Sequence, residues 1–108
     1  MIPVILESPY AGDIKWNIKY ARACMRDCLL RGEAPFASHL LYTQPGVLKD
    51  EIPDERMLGI NAGFAWRQGA KKTVVYTDYG ISSGMKLGIA DAKSKGRPVE
   101  RRKLYPKF

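Results

Sequence analysis

At 108 residues, with 45% hydrophobic and 27% charged side chains, the chain has an ordinary globular balance and can bury one core without disulfide or metal staples. No apolar run approaches the ~20 residues needed to span a bilayer, which excludes a membrane-spanning class. The net charge of +7 is uneven: residues 1–92 carry 11 Lys/Arg against 10 Asp/Glu, while residues 93–108 hold the other basic residues against Glu100 alone.

One domain over 1–108 with a basic C-terminal segment, 93–108, is therefore expected. Met1 to Glu7 has no basic leader and no cleavage site, so it reads as a strand and not a signal peptide, and a cytoplasmic setting is expected. Ile2–Leu6 is a short apolar run of the kind that a parallel sheet buries on both faces. Asp13 is suited to cap a helix over Ile14–Leu30, whose Ile14, Ile18, Ala21, Met25 and Cys28 recur at helical spacing. Cys24 and Cys28 share a face of it and read as core-facing thiols, since no second Cys pair follows to build a metal site. Gly32 is a stop.

Pro35–Leu41 predicts a second strand, and a polar loop through Gln44-Pro45-Gly46 leads to a helix opening at Pro53 or Asp54. Met57, Ile60, Phe64 and Ala65 give that helix an apolar stripe, and Gly69 ends it. Thr73–Thr77 is a β-branched strand. The loop Asp78–Gly84 precedes a helix to about Ser94 that carries Met85, Ile89 and Ala92 inward, and Arg97–Arg101 is a last short strand.

The order β-α-β-α-β-α-β specifies an α/β fold: a three-layer, flavodoxin- or Rossmann-like parallel sheet with right-handed crossovers, expected strand order 2-1-3-4. Ligands bind such sheets beyond the carboxyl ends of the strands, where the order reverses. Here that places Glu7 to Asp13 beside Asp78 to Gly84. In the first loop Ser8 can hold a phosphate or sugar hydroxyl, Tyr10 can stack on a base, and Pro9, Gly12 and Asp13 shape the turn. The same residues also suit a plain strand-to-helix turn. In the second loop Asp78 is a strand-end carboxylate, Gly80 permits a tight turn, and Ser82, Ser83, Gly84 and Met85 lead into a helix amino end that can cradle an anion. His39 can reach the same crevice. No metal-ligand cluster, cofactor motif or phosphate loop is present, so no metal and no cofactor are expected.

Ser8-Pro9-Tyr10-Ala11-Gly12-Asp13 with Asn17, Ser38-His39-Leu40-Leu41-Tyr42, Glu55-Arg56 with Gly59, and Asp78-x-Gly80-Ile81-Ser82-x-Gly84-Met85 together resemble the nucleoside 2-deoxyribosyltransferase-like superfamily. The resemblance covers nearly the whole chain and is closest to the short phage and bacterial domains of unknown function in that group. It implies the flavodoxin-like sheet, usually in homo-oligomers. The superfamily's enzymes cleave the bond between a nucleobase and deoxyribose with a carboxylate nucleophile, in a Gly-Thr-x-x-Glu pattern after strand three. Here that stretch looks like Gly84-Met85-Lys86-Leu87-Gly88, so Gly88 stands where the glutamate would be, Ser82 where a family aspartate would be, and Asp78 looks like a retained strand-end carboxylate.

Covalent transfer without the nucleophile has no chemical basis. The expectation is a domain that binds a nucleotide- or nucleoside-type ligand and, in the phage setting the resemblance implies, sequesters a signalling nucleotide. Three alternatives stand beside it. One is an active N-glycosidase or deoxyribosyltransferase that uses Glu7 or Asp78 as catalytic carboxylate. Another is a nucleic-acid accessory protein acting through residues 93–107, where the only aromatics are Tyr105 and, beyond them, Phe108. The third is an interaction protein with a vestigial crevice.

Overall fold

The computed structural model describes residues 1–105. Strand β1 (Ile2–Glu7) leads to α1 (Ile14–Leu30), then β2 (Glu33–Phe36), a short α2 (Ser38–Leu41), α3 (Pro53–Ala65), β3 (Lys72–Tyr76), α4 (Ser83–Ser94) and β4 (Val99–Arg102). The four strands are all parallel in the order β2-β1-β3-β4, so the strand order reverses between β1 and β3. Alternate residues of the central strands serve opposite faces. Val4, Leu6, Val74 and Tyr76 pack on Tyr20, Cys24 and Cys28 of α1; Val75 packs on Met85 and Ile89 of α4. Both cysteines are buried and unbridged. Among the described residues no helix is long and apolar enough to cross a membrane.

Local chemistry explains the element ends. The Asp13 carboxylate accepts from the Trp16 N–H at 3.2 Å and caps α1. Ser82 does the same for α4, its hydroxyl accepting from the Met85 N–H at 3.3 Å. Gly32 turns the chain into β2 with φ +80°, a backbone state that disfavours any side chain.

Three expectations are corrected. The second strand stops at Phe36, and Ser38–Leu41 wind into α2. A mostly apolar run of this length fits either arrangement, and tertiary packing decides: Leu40 turns onto the α1-side core. Of the expected α3 stripe Met57, Ile60, Phe64, Ala65, only Ile60 and Phe64 are half-buried. Met57 is 47% exposed and Ala65 is exposed, while Gly59 and Gly63 face α2 and its following loop. A Cβ on Gly63 would lie 2.7 Å from the Ser38 hydroxyl oxygen, so close helix packing requires glycine there. Finally, the last strand begins at Val99 and not Arg97, and two arginines of the basic segment are internal. Arg97 pairs with Asp91 at 3.3 Å, and Arg102 holds Glu33 with both terminal nitrogens, at 2.9 and 3.0 Å.

Candidate functional site

β1 ends where the sheet reverses, and its last residue carries a buried carboxyl. Glu7 is 6% exposed and accepts from Arg67 Nη2 at 2.7 Å. Arg67 comes from the 3-10 turn after α3 and is itself buried; its Nη1 donates to the Gly88 carbonyl at 3.4 Å. Burial pushes the Glu7 carboxyl up to about 7, against the downward pull of Arg67. The carboxylate lies where a side chain on residue 88 would begin: a Cβ built on Gly88 would overlap it. The absence of a side chain on α4 is what admits the carboxylate from β1.

Beyond Glu7 the chain turns through Ser8, whose hydroxyl hydrogen-bonds His39 Nε2 at 2.7 Å. The α2 turn, which the sequence pattern does not reveal as a helix, brings His39 there. Burial, then the nearby Arg67 guanidinium, hold the imidazole down to about 4, so it is neutral at physiological pH. Asn17 donates to the carbonyls of Tyr10 and Ala11, at 2.9 and 3.0 Å, and ties the first loop to α1.

Glu7, Arg67, Ser8 and His39 share one cleft of about 110 Å³, well beyond the room one water needs. Of the residues expected at the site, it brings together Glu7, Ser8, Tyr10, His39, Ser82, Ser83, Gly84 and Met85. Pro9, Gly12, Asp13 and Gly80 do not line it. Asp13 is an exposed cap, and Gly12 and Gly80 are turn residues with φ +102° and +84°.

Asp78 does not line it either. Its carboxylate accepts from the Tyr20 hydroxyl and from the Leu104 and Tyr105 N–H groups, at 2.8 and 3.1 Å for the latter two. Burial raises its pKa, but those hydrogen bonds outweigh the effect and hold the carboxyl below its usual range. Asp78 is thereby an anchor for the end of the chain.

The opposite wall comes from residues that sequence reasoning does not assign to the site. Arg56, Ile60 and Phe64 of α3 line the cleft, with Arg67 at its base. The one signal for this wall is the Glu55-Arg56 with Gly59 motif; nothing in the sequence marks Arg67. Its Nε is buried without a hydrogen-bond partner among the described residues, an uncompensated donor beside the cleft. Among those residues no three His, Cys, Asp or Glu side chains gather as metal ligands.

Residues 2–102, nearly the whole described chain, match the family described as Domain of unknown function (DUF7768). The chain belongs to that family. No curated protein and no solved structure matches it.

Proposed function

We propose that the domain binds a nucleoside- or nucleotide-type ligand in this cleft and holds it. The observation that carries the reading is the convergence at the β1/β3 reversal of Glu7–Arg67, Ser8–His39, Tyr10 and the amino end of α4. The Tyr10 ring and the apolar Phe64 and Met85 suit a flat base. Ser8 and His39 suit sugar hydroxyls, and the free amides of Ser83 and Gly84 with Arg56 suit an anionic end. The sequence resemblance to deoxyribosyltransferase-like proteins supports the same ligand class.

A second reading, cleavage of the N-glycosidic bond, is favoured by one observation. Of the two candidate carboxylates only Glu7 lines the cleft, and it occupies the space a residue-88 side chain would take. One experiment tests both. Calorimetric titration with nucleosides and nucleoside monophosphates is expected to show binding that Tyr10→Ala weakens by about tenfold. No binding by any of them would remove the first reading. Products of base release in the same incubations, lost in Glu7→Gln, would replace holding with turnover.

A further inference from the structure

A second surface lies on the α1 side, away from the cleft, and the sequence scatters its parts over three segments. Trp16 of α1, Tyr79 of the loop after β3 and Tyr105 beyond β4 gather around the buried Tyr20. Tyr79 stands edge-on to Trp16 at 6.0 Å and 74°, and to Tyr105 at 6.4 Å and 70°. All three outer rings remain 41–49% exposed, an unusual cost for one small surface unless the rings meet a partner. The cluster is held in place from beneath: the Asp78 carboxylate takes the Tyr20 hydroxyl and the Tyr105 N–H. The acid at its centre is thus turned inward.

From this cluster a row of cations runs along α1. Lys15, Lys19, Arg22 and Arg26 are exposed at spacings of four, three and four residues, which puts them on one face over about 16 Å. Among the described residues none of the four forms an ion pair. Two acids flank the row: Asp13, which caps α1, and Asp27, which is engaged by Arg31 and the Tyr76 hydroxyl.

We propose that this face binds single-stranded nucleic acid, bases against Trp16, Tyr79 and Tyr105 and phosphates along the α1 cations. Charge complementarity selects a polyanion. Half-exposed aromatic rings beside the cations select unpaired bases over a duplex, whose bases are already stacked, and over an acidic protein surface.

The test uses the full chain carrying Trp66→Phe, which leaves Trp16 as its only tryptophan, titrated with a short oligothymidine at physiological salt. Quenching of Trp16 emission is expected. In the parent chain, Trp16→Ala with Tyr79→Ala is expected to weaken binding by about tenfold or more, read by anisotropy, with the circular dichroism unchanged. Replacing Lys15, Lys19 and Arg22 by Gln is expected to flatten the salt dependence by about 0.7 log units per phosphate contact removed. Absence of binding, equal affinity for duplex, displacement by polyglutamate as effective as by oligonucleotide, or binding indifferent to the aromatic substitutions would each overturn the proposal. So would full competition by a mononucleotide, which would place the strand in the cleft instead.

Discussion

Two buried glutamates meet arginines in this sheet, and they end up in opposite electrostatic states. Glu33, at the start of β2, is gripped by both terminal nitrogens of Arg102 and by Lys72 at 3.1 Å, and these contacts hold it down at about 2. Glu7, at the end of β1, has one close contact to Arg67, with Asp91 near the same guanidinium at 3.9 Å, and burial raises it to about 7. A carboxylate that is fully matched by cations is a fastener. One that is desolvated and only partly matched can take up or release a proton near neutrality, which is a property of sites. The difference lies in how strongly each carboxyl is desolvated and in how many cations reach it.

The largest effect is expected at the Glu33–Arg102 pair. Arg102→Ala leaves Glu33 with Lys72 alone and removes the contacts to Glu100 and the Tyr76 hydroxyl. A loss of about 3–5 kcal/mol is expected in urea unfolding; a loss below about 1 kcal/mol, the scale of an exposed pair, would show that this pair holds nothing together.

Glu7 and His39 give the stability a pH dependence. The Glu7 carboxyl is raised from 4.5 to about 7, so the folded state binds more protons than the unfolded chain in that window, and stability falls as pH rises through it. The His39 imidazole is lowered from 6.5 to about 4, so the unfolded chain binds more protons there, and stability is lost as pH falls from 6.5 towards 4. The two trends oppose each other between pH 4.5 and 6.5, and the parent should be nearly flat there in thermal or urea unfolding. Glu7→Gln should make stability rise with pH across the window, and His39→Gln should make it fall, each by about 3 kcal/mol. Parallel profiles for the two variants would mean that these groups do not titrate as described.

The smallest effect is steric. Gly88→Ala should cost about 1–3 kcal/mol by crowding the Glu7 carboxylate. Much of that should vanish in a Glu7→Ala background, so a double-mutant cycle reads the contact directly. Additive costs would separate the two residues.

The legible parts of this protein are those written in local pattern. The runs of β1 and β3, the period of α1 and the serine that caps α4 identify their elements, and the β-α alternation leads to the observed strand order. The illegible parts depend on return distances. Asp78 at a strand end can meet a ligand or a backbone N–H, and only the position of residues 104 and 105 decides. Glu7 and Arg67 are 60 residues apart, and neither marks the other. The contact of α3 with α2 escapes the sequence pattern because the pattern follows large apolar residues, whereas that contact is made at Gly59 and Gly63.

Those glycines set a dimension of the cleft. Gly63 lets α2 approach until Ser38 fills the space a methyl group would need, and the next residue in α2 is His39, whose ring meets Ser8. The spacing between two helix backbones thereby sets the reach of the imidazole. A single added carbon at position 63, which does not line the cleft, would tilt the imidazole away from its hydroxyl partner. Tolerance to change in this domain should therefore follow distances between backbones more closely than proximity to the cleft.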